Sequence, residues 1–149
     1  MISGLFSGKR PDNLGVREGR LSPCKPTPNC VASQADKADA AHYIDPLTFS
    51  APADKAWMAL RRVLGGMPRV TIVTARPGYL YAEFTSRFMG YVDDVEFLLD
   101  PAGAIQVRSA SRLGGGDLGV NRARIEAIRA RLDAEVGRGD PASAFRHNG

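Results

Sequence analysis

Long apolar runs, cysteines, histidines and clustered basic residues are all scarce in this sequence. No stretch approaches the about 20 consecutive apolar residues that a membrane-spanning helix requires. Two cysteines exclude a disulfide-dense fold. Because one of the two histidines, His147, lies in the predicted tail, a four-coordinate zinc site lacks a ligand, so we predict neither a metal nor a cofactor. No run of five or six basic residues forms an arm for nucleic acid.

The opening residues also argue against export. The apolar stretch Met1–Phe6 is too short for the core of a signal peptide, and its basic residues follow it instead of preceding it. We therefore expect a cytoplasmic protein.

What remains is the composition of an ordinary globular domain. The chain has 149 residues, of which 44% are hydrophobic and 24% charged, which favours one compact domain over residues 1–149. The net charge of +4 hints at an anionic partner. Nucleic acid is not the expected one, because aromatic residues do not alternate with the arginines.

The chain divides into three zones. Residues 1–49 contain five prolines and no sustained period, which predicts an irregular N-terminal wrap. We expect apolar anchors to hold this wrap to the domain: Leu14, Val16, Leu21, Val31, Ile44 and Leu47. Residues 50–137 form the predicted core, and residues 138–149 a tail.

Periodicity in the core predicts an α+β fold. A first helix follows a Ser50 cap and ends at Gly65-Gly66, and a second covers about 120–137. Between them, alternating apolar residues predict four strands, at about 69–75, 79–87, 92–100 and 104–112. The short connections permit only antiparallel hairpins. We therefore predict a two-layer fold of helix, four-stranded antiparallel meander and helix, with both helices on the apolar sheet face.

Several segments together resemble one family. They are Pro23-Cys24, Pro28-Asn29-Cys30-Val31, His42 to Leu47, Tyr91 to Phe97, Val107 to Arg112, and Asp117 to Glu126. In combination they are similar to the domain of unknown function 1499, over roughly residues 20–136. Ala32 departs from the serine expected after Cys-Val. The resemblance implies a bacterial or plastid protein and brings no established activity. We expect a bacterial one.

A polar sheet face is the first candidate site. Alternation points five charged side chains away from the apolar face: Glu83, Asp94, Glu96, Arg108 and Arg112. The Pro101-Ala102-Gly103 turn predicts a register that places Glu96 opposite Arg108. Such a face could bind a polar ligand, but we favour a solvated face with weak cross-strand ion pairs.

The glycine-rich loop before the second helix is the second candidate. A helix N-terminus and nearby arginines can hold a phosphate or carboxylate, with Asp117, Asn121 and Arg122 as candidate ligand-binding residues. A flexible connection capped by Asp117 or Asn121 is the favoured interpretation.

The two cysteines allow three interpretations. Cys24 and Cys30 lack the C-x-x-C spacing of a redox motif. We favour free structural thiols, then a disulfide, then a metal site. His42, alone in an ordered segment, is expected to pack or cap.

No complete catalytic set is present, so the function stays open. We favour a non-enzymatic domain that binds a small anion or a protein partner. The alternative is an enzyme that acts on a small anionic substrate through the Glu and Arg residues of the sheet face.

Overall fold

The computed structural model describes residues 8–114 and 119–139. Its centre is a six-stranded antiparallel sheet, built from β3 (Cys30–Ala32), β4 (Leu47–Thr48), β5 (Val70–Arg76), β6 (Tyr79–Thr85), β7 (Val92–Asp100) and β8 (Ala104–Ser111). A separate pair, β1 (Val16–Arg17) and β2 (Arg20–Leu21), forms a two-stranded sheet. The helices are α1 (Ala53–Gly65) and α2 (Val120–Gly139).

The predicted layout of helix, four-stranded meander and helix is wrong. β5 to β8 do lie side by side in chain order, but β8 is not an edge. Its outer side pairs with β3 near Arg108 and with β4 near Ile105. The two added strands lie in the segment predicted to be irregular. Sequence periodicity does not reveal them, because strands of two or three residues are too short to show a hydrophobic period.

The turns of the meander explain its register. Gly78 and Gly103 both adopt positive φ, the backbone conformation that favours glycine in tight turns. The second turn sets Glu96 opposite Arg108, so the predicted register of these two residues is confirmed.

One face of the sheet carries the apolar core. Leu80, Phe97 and Val107 are fully buried there against both helices. From α1 come Trp57, Leu60 and Leu64, and from α2 come Ile125, Ile128 and Leu132. The start of α1 differs from the prediction, since Pro52 occupies the N-cap position and makes no side-chain cap.

The opposite face is covered by residues 8–23, here called the N-terminal cover. Leu14 and Leu21 pack on Tyr79 and Tyr81 of β6, forming a second, smaller apolar cluster. The prediction that Val16 anchors this segment is wrong, because Val16 is 42% exposed. No helix among the described residues is long and apolar enough to cross a membrane.

Candidate functional site

Charged and tyrosine side chains line the sheet face beneath the N-terminal cover. Alternation along β6, β7 and β8 places them there: Tyr79, Tyr81, Glu83, Asp94, Glu96 and Arg108, with Arg112 just beyond β8. The favoured prediction of a solvated face is wrong for its centre. Glu96 is 0% exposed, Asp94 2% and Arg108 4%, because the N-terminal cover removes them from water.

Arg112 is fully engaged by carboxylates. Its Nε donates to Asp94 Oδ2 at 2.9 Å and its Nη2 to Asp94 Oδ1 at 2.8 Å, a bidentate pair. Nη2 also donates to Glu83 Oε2. These hydrogen bonds to Asp94 raise the pKa of the Arg112 guanidinium. Arg112 is therefore a fixed internal counter-ion.

Glu83 is shared between two arginines and a tyrosine. Arg10 of the N-terminal cover donates to Glu83 Oε2 at 2.9 Å, and so does the Tyr81 hydroxyl. Burial alone would raise the pKa of Glu83, but the hydrogen bonds from Arg10, Tyr81 and Arg112 outweigh it, and the pKa is lowered. The Tyr81 hydroxyl shares its single proton between Glu83 and Asp94 Oδ1, which lies 2.5 Å away. Burial, reinforced by the hydrogen bond to Asp94, raises the pKa of Tyr81.

Glu96 has one satisfied and one unsatisfied oxygen. Oε2 accepts from the Tyr79 hydroxyl at 2.5 Å and from the backbone N–H of Gly15 at 2.7 Å. Burial and the bond to Glu96 raise the pKa of Tyr79. No described residue donates a hydrogen bond to Oε1, which lies 3.7 Å from Arg108 Nη1. Glu96 thus fastens the N-terminal cover at Gly15.

Arg108 is a buried cation with too few acceptors. Its Nε has no hydrogen-bond partner in the described part of the chain, and Nη2 reaches the Pro23 carbonyl only at 3.5 Å. Burial lowers the pKa of Arg108, opposed by the charge of Glu96, but a guanidinium stays protonated. A buried donor without an acceptor costs about 1–3 kcal/mol, and more when it is charged.

A cleft of about 520 Å³ opens beside Arg108. Its lining includes five cations and two acids: Lys9, Arg10, Lys25, Arg108 and Arg112, with Asp12 and Asp94. Arg10 and Arg112 are neutralised by Glu83 and Asp94. Lys9, Lys25 and Arg108 remain as the cations that can face a ligand, and Lys9 and Lys25 form no ion pair within residues 8–114 and 119–139.

The second candidate site does not join the first. Asn121 is fully buried on the helix side of the sheet, where Ser109 Oγ donates to its Oδ1 at 2.6 Å. Arg122 reaches the Ala40 carbonyl at 3.2 Å, away from the cleft. Asp117 lies outside the described residues. The structure therefore brings Glu83, Asp94, Glu96, Arg108 and Arg112 to one face but separates Asn121 and Arg122 from them.

Arg124, one helical turn after Asn121, supports the first turn of α2. It pairs with Asp93 at 2.6 Å, lies 5.0 Å from the centre of the Phe84 ring and donates to Asn121 at 2.8 Å. Arg124 thus contacts strands of the sheet as well as its own helix, which favours a structural role in docking α2 on the sheet.

Cys24 and Cys30 form a disulfide, which corrects the expectation of free thiols. Their Cα atoms are 5.7 Å apart, a normal disulfide separation, because the chain turns back between them. The enclosed Cys24–Cys30 loop supplies Lys25, Thr27 and Asn29 to the wall of the cleft.

His42 clamps this loop. Its Nδ1 lies 2.7 Å from Asp39 Oδ2 and its Nε2 lies 2.9 Å from the Thr27 carbonyl. The Thr27 carbonyl and then Asp39 raise the pKa of His42, because both acceptors favour the doubly protonated ring. The described residues contain no group of three His, Cys, Asp or Glu side chains placed to hold a metal ion.

Comparison with known sequences assigns the chain to a family. Residues 20–132 match the sequence model of a family described as protein of unknown function (DUF1499). The chain belongs to this family. The match spans β2 through most of α2, so the DUF1499 region contains the whole six-stranded sheet. No curated protein and no solved structure matches the chain.

Sequence reasoning missed several residues of this candidate site. Tyr79 and Tyr81 could have been found, because the alternation that points Glu83 to the polar face points them there too. Lys9, Arg10 and Lys25 carried no such signal. They belong to the aperiodic N-terminal zone, and only the folded chain brings them to Arg108.

Proposed function

We propose that the cleft beside Arg108 binds a small anion that carries a carboxylate or phosphate group. The observation that carries this proposal is Arg108, a buried guanidinium that lines the cleft and whose Nε has no hydrogen-bond partner among the described residues. A buried polar group without a partner in a folded protein calls for an explanation such as a bound ion or water. An anion would accept from Arg108 and be held by the charges of Lys9 and Lys25.

The size and charge of the cleft agree with this proposal. Small-molecule sites occupy about 300–1,000 Å³, and this cleft lies within that range at about 520 Å³. After the pairs of Arg10, Arg108 and Arg112 with Glu83, Glu96 and Asp94 are set aside, Lys9 and Lys25 remain against Asp12, which leaves the described lining with a small positive excess. A non-enzymatic binding domain is the function we favour.

An enzyme acting on an anionic substrate has less support. The best candidate base, Glu96, is fully buried and is not among the residues that line the cleft. Its Oε2 is occupied by Tyr79 and Gly15. A general base must reach the proton that it removes, and Glu96 is walled off from the cleft.

Isothermal titration calorimetry with inorganic phosphate and with citrate tests the anion site. We expect Arg108→Lys, which keeps the charge opposite Glu96 but removes the fork of donors, to weaken binding by about tenfold. Lys25→Ala should weaken it severalfold, because Lys25 is an exposed cation of the cleft wall. Lys37→Ala, an exposed lysine outside the cleft, is the matched control. Absence of binding at millimolar anion, or equal binding by all variants, would refute the proposal.

We propose the bacterial cytoplasm as the location of the protein, although the disulfide is unusual for that compartment. Cytosolic thiols are normally kept reduced. Alkylation of free thiols in intact bacterial cells, followed by mass measurement, decides the matter. Two alkylated cysteines per chain would support the cytoplasm, and none would indicate an oxidising compartment.

A further inference from the structure

Exposed apolar side chains gather at one end of the sheet. Phe88 is 73% exposed, Met89 54%, Val120 48%, and Tyr91 and Leu113 43% each. Phe88, Met89 and Tyr91 belong to the β6–β7 connection, Leu113 follows β8, and Val120 begins α2. These five residues, here called the apolar end, include most of the large apolar side chains that the described residues expose.

The connection that carries Phe88 and Met89 is a preformed loop. Ser86 N–H donates to the Tyr91 carbonyl at 2.7 Å, and Tyr91 N–H donates to Ser86 Oγ at 2.9 Å, which closes the loop at its base. Gly90 N–H donates to the Phe88 carbonyl at 2.9 Å. Met89 adopts a φ of 70°, a strained conformation for a side chain other than glycine or asparagine. The backbone thus holds two apolar side chains out in water.

Three arginines that form no ion pair among the described residues lie beside the apolar end. Arg69, Arg87 and Arg131 line the same depression of about 580 Å³ as Tyr91, Leu113 and Val120. None of the three forms an ion pair within the described ranges. Asp93, the one acid among the described residues of that lining, is neutralised by Arg124. The surroundings therefore favour a negatively charged partner.

From this juxtaposition we propose that the apolar end docks on the surface of an anionic phospholipid bilayer. Phe88 and Met89 enter the headgroup region, where aromatic and apolar side chains are stabilised. Arg69, Arg87 and Arg131 contact lipid phosphates, and each basic residue near an anionic surface strengthens binding. A bilayer fits a projecting loop because it requires no matching pocket for Phe88.

Flotation with phosphatidylcholine vesicles, with and without about 30% phosphatidylglycerol, tests this proposal. We expect the protein to float with the anionic vesicles only, and salt to weaken the binding. The double variant Phe88→Ser, Met89→Ser should lower the partition coefficient at least about tenfold. Met58→Ser, which changes a 50% exposed methionine on α1, should leave it unchanged.

Further variants separate this surface from the anion cleft. Arg87→Gln with Arg69→Gln should weaken flotation, whereas Lys25→Ala with Lys9→Ala should not. Failure of the wild type to float, or dependence of flotation on Lys9 and Lys25 instead of Phe88 and Met89, would overturn the proposal. Self-association in sedimentation that the Phe88 and Met89 variant abolishes, without vesicle binding, would overturn it in favour of a second copy of the chain.

Discussion

The two faces of the sheet follow from the same alternation of side chains along the strands, but one face is apolar and the other is charged. On one face, Phe97, Leu80 and Val107 meet two helices in an apolar core. On the other, Glu96, Asp94 and Arg108 are buried beneath the N-terminal cover. Apolar burial needs only area and fit, whereas each buried ion needs a specific partner. Each charged residue of the polar face therefore depends on a particular partner, and Arg108 Nε has no such partner among the described residues.

The largest expected effect is on the apolar face. Phe97→Ala removes a fully buried ring that contacts both layers, so the free energy of unfolding should fall by about 3–5 kcal/mol. Urea unfolding followed by circular dichroism measures it. Phe88→Ala changes a 73% exposed ring and should stay within about 0.5 kcal/mol of wild type. Equal stability of the two variants would contradict the assignment of the core.

The polar face should show non-additive behaviour. Arg108→Met alone leaves Glu96 buried without its cation and should cost about 3 kcal/mol. Adding Glu96→Gln removes the unpaired charge but keeps an acceptor for Tyr79 and Gly15, so it should restore at least half of that loss. A double-mutant cycle from urea unfolding measures the coupling. Strictly additive losses would show that the two residues are energetically independent.

The smallest expected effect concerns the loop beside the polar face. The pKa of His42 is raised above its ordinary value of 6.5, so its contribution is fully present below that pH and lost as the pH rises through the folded-state pKa. Stability should therefore decline with pH from about 6 to 8. His42→Gln should flatten this decline, and Asp39→Asn should reduce it, in unfolding curves measured across that range. An unchanged slope in His42→Gln would contradict the clamp.

The sequence predicted the parts of both faces that local patterns encode. Alternation located β5 to β8, and the Asp100–Gly103 turn fixed Glu96 opposite Arg108. Helical spacing located α1 and α2. Spacing alone does not determine the ion pairs of α2. Arg129 pairs with Glu126, three residues before it, and Glu135 pairs with Arg62 of α1.

The remainder depends on contacts between distant residues. Strands β3 and β4 are too short to show a period, and nothing local links Lys25 to Arg108 or His42 to Thr27. The burial of the polar face was missed for the same reason. Charged residues normally face water, and only the position of the N-terminal cover reverses that preference.

The pairing of β8 with β3 and β4 also bears on how the chain folds during synthesis. The ribosome releases β3 and β4 first, but their partner β8 emerges only after the meander has been made. Contacts so far apart in the chain form slowly, because a long loop must close before they stabilise anything. Until then the outer side of β8 is an open edge that can pair with another nascent chain. Strands β3 and β4 therefore cover that edge only late in folding, and a truncation that removes them leaves the edge of β8 exposed.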